Sequence, residues 1–372
     1  MKYCTKCLMP DTRPNIKFFN GVCQGCITYE RQSQIDWKQR WTELEKLCAK
    51  HRHSNGNDYD CIIAVSGGKD SHFQTYLIKE KLGMNPLLLS AGNLDWTDTG
   101  RKNLDNISDA FGCDLILSQP NRKIARMMLK KAFEKIGSPG WYLDSSLYAF
   151  PIKMAIKLGI KLVFYGEDVN YTYGGEFSQE TSSAIKQSKN DVVKPIWEEW
   201  FDDKIITEKD LQSIKHPTEE EIKKHDIQPT YLSYFVPWNS IHNYEVAKRY
   251  GFKHLEHEYK RENTLENFDQ IDSLSYLINP SLKYQKFGHA IATDYASKMI
   301  RYGLRTREEM IPFVEENDGK MDQGAIEKFC EFTRLSEYEF NKILDKWYNP
   351  KLFEQDNHEV WHKKFKVGLG LK

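Results

Sequence analysis

The sequence of 372 residues has no excess of charge of either sign and no long hydrophobic run. Lys plus Arg and Asp plus Glu each number 53, and the isoelectric point is about 7.1. A neutral chain has no general attraction for a phosphate backbone, so the composition argues against nucleic acid as a partner. A membrane-spanning helix needs about 18 consecutive apolar residues, and the first residues lack the apolar stretch of a signal peptide. The sequence therefore predicts a cytoplasmic protein with no membrane partner.

Cysteine is scarce outside the first 26 residues. Four of the eight cysteines form two CxxC pairs, Cys4 with Cys7 and Cys23 with Cys26, whereas the others occur singly. In a reducing compartment this spacing is typical of a four-thiolate zinc ribbon. Sulfur would fill all four coordination positions, which leaves none for a catalytic water. The sequence therefore predicts a structural Zn²⁺ site, with an iron–sulfur cluster as the alternative that four cysteines also allow.

Changes in composition and periodicity divide the chain into four predicted parts, and no internal repeat or low-complexity tract interrupts them. Residues 1–30 form the zinc ribbon, which is too short to own a core, and an amphipathic linking helix occupies residues 31–57. Residues 58–262 form the main domain, with a polar insertion at 202–228. Residues 263–372 follow a helical pattern with two capping-box spacings.

The main domain alternates short apolar runs with helical patterns. Buried strands are predicted at residues 61–65, 86–89, 114–117 and 161–165, with a further strand at 231–236. Helices are predicted to begin near residues 70, 97, 122 and 144, and glycines at 83, 112 and 159 are predicted to end helices. This alternation predicts an α/β fold with a doubly wound parallel sheet, whose ligands lie at the carboxyl ends of the strands.

The strongest local signal is the string SGGKDS, which follows the first predicted strand and opens a helix. Two glycines permit a tight turn and a close approach of the backbone to an anion. The N–H groups of the helix start, the two serine hydroxyls and the lysine charge would then hold a phosphate. The turn is not a Walker A loop, because Ile63 stands where its first glycine would be. The predicted phosphate site consists of Ser66, Gly67, Gly68, Lys69, Asp70 and Ser71.

This string is the PP-loop signature, and the chain resembles the N-type ATP pyrophosphatases, which split ATP between the α and β phosphates. The resemblance implies a loop that holds the pyrophosphate end of ATP while an acceptor oxygen attacks the α-phosphorus. Because such chemistry relies on positioning and charge neutralisation, ATP and Mg²⁺ are the implied cofactors. Lys69, Asp70 and Glu167 are the implied catalytic residues, Gly166 joins the nucleotide site, and Asp168 is a further candidate for holding the metal ion.

A narrower resemblance covers nearly the whole chain. The strings that carry it are YCTKCLMPDTRP at 3–14, SGGKDS at 66–71, FYGED at 164–168, YGG at 173–175, YFVPW at 234–238 and KFGHA at 286–290. With these the sequence resembles the N-acetyl sugar amidotransferases of pseudaminic acid, legionaminic acid and O-antigen biosynthesis, which convert an acetamido group of a sugar to an acetamidino group. Asp168 stands where the family pattern has asparagine, which leaves the role of that side chain open.

The resemblance implies that the acetamido oxygen attacks ATP to give an adenylated imidate, from which ammonia displaces AMP. The sequence offers no glutaminase nucleophile, because Lys2 follows the initial methionine and Cys113 precedes a predicted strand. Ammonia is therefore expected from solution or from partners, which the family suggests are a glutaminase subunit and a synthase-like subunit related to those of histidine biosynthesis. The polar insertion at 202–228 is a candidate docking surface for them.

The candidates for binding the sugar substrate are less specific. Several polar residues around Gly288 recur at helical spacing and could line the sugar or phosphate side of the cleft, although a solvated helix face has the same pattern. Trp96 and Asn103 are weaker candidates of the same kind. The polar residues around Gly288 are Lys286, His289, Asp294 and Arg301.

Two other functions remain open at the level of sequence. The tRNA-thiolating PP-loop enzymes also join N-terminal CxxC pairs to this loop, but they need a sulfur-handling cysteine pair and a basic face. Only Cys113 and Cys330 follow Cys61, far apart in sequence. A nucleotide-binding scaffold without turnover would share the fold. Release of pyrophosphate from ATP in the presence of ammonium and sugars separates the three functions.

Overall fold

The computed structural model describes residues 1–54, 56, 58–175, 180–202 and 204–371. Two predicted boundaries, Asn57 and Lys372, lie outside the described residues, as does Asp203 of the predicted insertion. Among the helices of the described part, none is both long enough and apolar enough to cross a membrane.

The N-terminal residues form a small unit without a hydrophobic core of ordinary size. Strands β1 (Phe18–Phe19) and β2 (Val22–Cys23) pair antiparallel, and helix α1 (Gln24–Arg31) follows directly. The buried centre of the unit consists of the four cysteines with Met9. Cysteine sulfur thus takes the place that aliphatic side chains occupy in larger domains.

The predicted linking helix is present as α2 (Trp37–His51). It begins at Asp36, whose carboxylate accepts a hydrogen bond of 2.9 Å from the backbone N–H of Gln39. Its apolar face buries Leu44 and Cys48 in the core beside the central sheet. The helix therefore joins the N-terminal unit to the main domain through packing.

A five-stranded parallel sheet forms the centre of the main domain. Its strands are β3 (Cys61–Ala64), β4 (Pro86–Ala91), β5 (Leu115–Ser118), β6 (Leu162–Tyr165) and β7 (Gln228–Tyr231). Their order is β5-β4-β3-β6-β7, so the direction of winding reverses between β3 and β6. Every residue of β3 and β6 is buried, as in strands covered on both faces. Ligands of such sheets bind at the carboxyl ends beside this reversal.

Helices cover both faces of the sheet, which confirms the predicted α/β class and parallel sheet. The helices of this part are α3 (Lys69–Thr75), α4 (Asp98–Phe111), α5 (Arg122–Ile136), α6 (Trp141–Leu158), α7 (Val169–Tyr173), α8 (Trp197–Trp200), α9 (Glu219–Lys224) and α10 (Ser240–Arg249). Side chains of α3, α4 and α10 share one core with Ile63, whereas α6 packs with Ile62 on the opposite face. Adjacent strand residues thus alternate between the two cores.

One predicted strand is wrong. The sequence predicts a strand at residues 231–236, but β7 ends at Tyr231 and the next residues form a 3₁₀ turn, Leu232–Tyr234. Leu232, Phe235 and Val236 are buried because the chain turns into the core at the end of the sheet. An apolar run identifies burial, and here burial is reached without strand pairing.

The stretch at 202–228, predicted as a polar insertion, packs closely against the rest of the chain. Ile206, Leu211 and Ile214 belong to the largest core cluster, and Ile222 packs beside the sheet. Its last residue already belongs to β7. A few apolar residues among many charged ones anchor this stretch, which composition alone does not reveal.

The region after residue 263 is helical over about half of its described length. Both predicted capping boxes are present, Thr306 with Glu309 and Ser336 with Glu339. Its helices are α11 (Ile278–Ser281), α12 (Lys283–Phe287), α13 (Ile291–Arg301), α14 (Arg307–Asn317), α15 (Gln323–Thr333) and α16 (Glu337–Asp345).

The helical prediction fails for the last residues. Two short antiparallel pairs replace it: β8 (Phe353–Gln355) with β9 (Trp361–Lys363), and β10 (Phe365–Lys366) with β11 (Gly370–Leu371). Phe353 and Phe365 are buried together at a ring distance of 5.7 Å. Packing of aromatic side chains thus decides the local structure.

Candidate functional site

The SGGKDS loop lies at the carboxyl end of the central strand β3. The backbone N–H of Ser66 donates to the Oγ of Ser71 over 2.9 Å, which closes the loop on the first turn of α3. Gly67 has φ of +87°, a left-handed conformation that favours glycine. The loop therefore makes a tight turn between β3 and α3, with Ser71 bracing it from inside.

Lys69 is buried in a network of charges. Its Nζ lies 2.7 Å from the Oδ2 of Asp70 and also pairs with Asp269. Asp269 pairs in turn with Lys298 at 3.4 Å, and Asp70 accepts a hydrogen bond of 2.7 Å from Asn243. Burial alone would lower the pKa of Lys69, but the charges of Asp269 and Asp70 outweigh burial and raise it. Lys69 is thus held as a cation beside the loop.

Glu167 follows β6 and faces the same network. Burial, together with the charge of Asp70, raises the pKa of Glu167 to about 7, although Lys298 and Lys69 act in the opposite direction. The hydroxyl of Tyr173 lies 3.5 Å from its Oε1. Near neutral pH this carboxyl can therefore exist in either protonation state, which suits a group that handles a proton or a cation.

The next residue, Asp168, has a different environment. Its Oδ1 accepts hydrogen bonds from the backbone N–H groups of Asn170 and Tyr171, at 3.0 and 3.3 Å, and so caps α7. Burial raises the pKa of Asp168 to about 6. This carboxylate shapes the loop after β6, and it does not line the cavity described next.

A cavity of about 820 Å³ opens beside the loop. It lies where the chain leaves β3 and β6, the edge that the topology favours for ligands. Most of the predicted site residues belong to its wall. They are Ser66, Gly67, Gly68, Lys69, Asp70, Asn103, Glu167, Lys286, His289 and Asp294.

Four residues predicted for the nucleotide and substrate sites lie outside the cavity wall. Ser71, the first of them, braces the loop from inside. Gly166 precedes Glu167 at the end of β6, and its carbonyl accepts a hydrogen bond of 3.0 Å from the N–H of Ser233. Trp96 pairs with Ser273 in an isolated β-bridge and packs against the core. Arg301 points toward the cysteine cluster.

Asn103 is on the wall, but its amide is already committed. Its Nδ2 donates to the carbonyl of Lys253 over 2.8 Å, and its Oδ1 accepts from the N–H of the same residue over 2.9 Å. This pair of bonds ties α4 to the segment after α10. The amide of Asn103 therefore has a structural role, and its contact with substrate stays a prediction.

A second cationic cluster lies on the cavity wall, formed by Arg13, Lys283, Lys286, His289 and Asp294. Lys283 pairs with Asp294, and Arg13 lies 3.7 Å from the same carboxylate. The Nζ of Lys286 donates to the carbonyl of Gly137 over 2.7 Å. Burial, and then the charge of Lys283, lowers the pKa of Lys286 to about 8.

The sequence did not identify several charged residues of the wall. Arg13 lies more than 200 residues before the other three in sequence, which are Asp269, Lys283 and Lys298. Arg13 stands inside the string YCTKCLMPDTRP and could have been found there. Asp269, Lys283 and Lys298 have no local motif, so only the folded chain identifies them.

The four cysteines of the CxxC pairs are buried together. Their sulfur atoms all lie within 4.8 Å of one another. Backbone N–H groups point at two of them: Cys23 and Cys7 toward the sulfur of Cys4, at 3.2 and 3.5 Å, and Met9 toward that of Cys7 at 3.4 Å. Such N–H···S contacts stabilise thiolate ligands. The donor set and spacing fit a tetrahedral Zn²⁺ ion, so this cluster could bind zinc.

Arg301 was predicted to line the substrate cleft, but it lies beside the cysteine cluster instead. Its guanidinium lies 3.8 Å from the sulfur atoms of Cys7 and Cys23. Four thiolates around Zn²⁺ carry excess negative charge, and a guanidinium beside them offsets it. The helical spacing that suggested a cleft residue instead places Arg301 one turn beyond Lys298, where α13 meets the N-terminal unit.

We expect the purified protein to contain one Zn²⁺ per chain. Cys26→Ser should lose the ion and loosen residues 1–30, because the free energy of zinc binding goes into local folding. Cys48→Ser, which changes a buried thiol outside the cluster, is the matched control and should retain the metal. Elemental analysis measures the metal content of the wild-type protein and of both variants. Iron in place of zinc, or a metal-free wild-type protein, would contradict the assignment.

Two matches to known proteins each cover part of the chain. Residues 262–367 match the family model described as LPS biosynthesis protein WbpG-like, C-terminal domain. A curated relative is the uncharacterized protein MJ1599 of Methanocaldococcus jannaschii, which is 24% identical over 185 residues. That match covers 49% of this chain and 64% of the relative, so the chain spans less than two thirds of the relative's length. The WbpG-like match supports a role for this chain in glycan biosynthesis.

Proposed function

We propose that this protein is an ATP-dependent amidotransferase of the PP-loop type that converts the acetamido group of a sugar to an acetamidino group. The observation that carries the proposal is the SGGKDS loop on the wall of a large cavity at the carboxyl ends of parallel strands. The match to WbpG-like LPS biosynthesis proteins supports a sugar as the substrate. The resemblance to N-acetyl sugar amidotransferases supports the reaction.

The proposed reaction has two steps. The acetamido oxygen forms a bond to the α-phosphorus of ATP as the bond to the β-phosphate oxygen breaks and pyrophosphate leaves. Ammonia then adds to the activated carbon, and the carbon–oxygen bond breaks so that the oxygen departs with AMP. A proton lost from nitrogen is taken up by a carboxylate of the site, by solvent or by pyrophosphate. The product amidine carries a new positive charge.

Each part of the loop network has a role in this reaction. The N–H groups at the start of α3 and the cation of Lys69 would bind the pyrophosphate end of ATP. Asp70, Glu167 and Asp269 offer the oxygen ligands that Mg²⁺ prefers, and all three line the cavity. The metal ion would neutralise charge on the phosphates. Near its pKa of about 7, Glu167 could also accept a proton from the attacking nitrogen.

The environments of the remaining thiols argue against sulfur transfer and against an internal glutaminase. Cys113 lies in the core beside the sheet and Cys330 packs against a different cluster, so they do not form a pair. Burial raises the pKa of Cys48 to about 12 and of Cys113 and Cys330 to about 11, and it raises that of Cys61 well above its usual value. A reactive cysteine needs a lowered pKa. We therefore propose that a separate glutaminase subunit, with a synthase-like subunit, supplies the ammonia.

The isolated chain is expected to use ammonium but not glutamine. With ATP, Mg²⁺ and an N-acetylated sugar it should release AMP and pyrophosphate in equal amounts with the amidine. The rate should rise with pH, because the lone pair of NH₃ is needed for attack and is absent from NH₄⁺. Nucleotide products are measured by chromatography and the sugar by mass spectrometry.

Addition of a partner glutaminase should restore the use of glutamine at neutral pH, since ammonia delivered in place is used before it is protonated. Hydrolysis of glutamine by the purified chain alone, or release of ADP and phosphate, would contradict the proposal. Nucleotide binding without any turnover would favour a scaffold.

A further inference from the structure

The cavity wall carries two groups of charged side chains, which differ in the number of carboxylates for each cation. Around the loop, the cations Lys69 and Lys298 face three carboxylates, those of Asp70, Asp269 and Glu167. A group in which carboxylates outnumber cations suits a phosphate that arrives with a divalent metal ion. The second cationic cluster differs, because its described residues provide the single carboxylate of Asp294 for three cationic side chains.

The ion pairs of the second cluster leave positive charge in excess. Arg13 and Lys283 share Asp294, and the ammonium group of Lys286 donates to the neutral carbonyl of Gly137 rather than to a carboxylate. Asp294 lies one helical turn from Lys298 on α13, so the two groups are neighbours in one cavity. A ligand that reaches both would place an anionic group at the second cluster while its reacting end lies near the loop.

His289 gives an independent indication of a ligand. Its ring is fully buried and lines the cavity, and neither ring nitrogen makes a hydrogen bond of normal geometry with the described residues, although the carbonyl of Phe287 is near enough to influence its pKa. Burial lowers the pKa of His289 to about 3, so the neutral ring offers one N–H donor. Buried polar groups are rarely left unsatisfied in native proteins. A bound acceptor oxygen would satisfy this donor.

We propose that Arg13, Lys283, Lys286 and His289 form a second anion subsite that binds a carboxylate or phosphate group of the sugar acceptor without a metal ion. The identity of the bound molecule as the acceptor rests on the proposed function. The subsite selects acidic or phosphorylated N-acetyl sugars over neutral ones. It also orients the acceptor, because an anionic group fixed here limits how the acetamido group can approach the loop.

Calorimetric binding without ATP and without Mg²⁺ tests the subsite directly. The probes are N-acetylneuraminate, with a carboxylate, N-acetylglucosamine 1-phosphate, with a phosphate, and neutral N-acetylglucosamine. At least one charged probe should bind about tenfold or more tightly than the neutral one, since hydrogen bonds to charged groups are strong. The preferred probe identifies the anion. Equal affinity for all three probes would overturn the proposal.

Two variants locate the binding. Lys286→Gln, which breaks no ion pair, and His289→Leu should each weaken the preferred charged probe about tenfold and leave the affinity for ATP unchanged. Lys209→Gln, an exposed lysine outside the cavity, is the matched control. An equal loss of ATP affinity, or unchanged binding of the charged probe, would show that the subsite is wrong.

The turnover assay separates this inference from the proposed function. If the charged probes bind as expected but no acceptor yields AMP and pyrophosphate, the proposed reaction fails and the anion subsite stands. If turnover occurs equally well with neutral and charged acceptors, the reaction stands and the subsite is overturned.

Discussion

Replacement of Gly67 by valine is expected to reduce turnover at least a thousandfold, a rise of about 4 kcal/mol in the barrier. Gly67 has φ of +87°, and a β-carbon there would lie 2.8 Å from both the N and the Cα of Leu104 in α4. A helix backbone cannot yield as a flexible side chain does, so the loop must shift. A second reason is that a β-carbon at this position would keep the backbone from the close approach to a phosphate that glycine permits.

Gly112→Val provides the matched control. Gly112 ends α4 with φ of +56°, and a β-carbon added there would have no atom of the described residues within 4 Å beyond its own chain neighbours. This variant should therefore show the cost of a strained backbone as a lower melting temperature, with turnover preserved. Thermal unfolding and pyrophosphate release are measured for both variants. Near-normal turnover in a folded Gly67→Val protein would remove the loop from the active site.

Lys69→Ala should lower turnover by a factor of a hundred or more, about 3 kcal/mol of lost stabilisation of the transition state. Lys69 is the cation of the loop, and its charge would be lost where negative charge develops on the pyrophosphate. The variant also leaves Asp70 and Asp269 without their shared partner. The negative charge of these carboxylates should then repel the ATP phosphates and weaken ATP binding.

Lys69→Arg keeps the charge and distinguishes the two effects. It should restore the melting temperature more than it restores turnover, because the planar guanidinium cannot reproduce the geometry of the ammonium group. Lys123→Ala, an exposed change on α5, is the neutral control. Steady-state rates and ATP affinity are measured for each. Wild-type kinetics in a folded Lys69→Ala protein would exclude the assigned role.

Features with local physical causes could be predicted from the sequence. The loop of residues 66–71, the clustering of the four cysteines and the helix ends at Gly112 and Gly159 depend on neighbours in sequence. Glycine conformation, capping and CxxC spacing act over a few residues, so their outcome does not depend on the remote chain.

The predictions that failed depended on distant packing. Leu232 and its neighbours have the pattern of a strand because apolar runs look alike wherever they are buried. Arg301 has the spacing of a cleft residue, but α13 presents it to the cysteines of the N-terminal unit. The last residues pair as strands because Phe353 and Phe365 share a small aromatic core.

By itself the sequence determined the parallel sheet, the glycine-containing loop at the end of its first strand and the cysteine cluster, because backbone preference and short-range spacing are enough to define them. Only the tertiary structure decided which charges meet in the cavity. Lys69 is joined by Asp269 and Lys298, and Arg13 meets Asp294, across chain separations that no local pattern records. Electrostatic interactions depend on distance in space and on burial, and folding sets both.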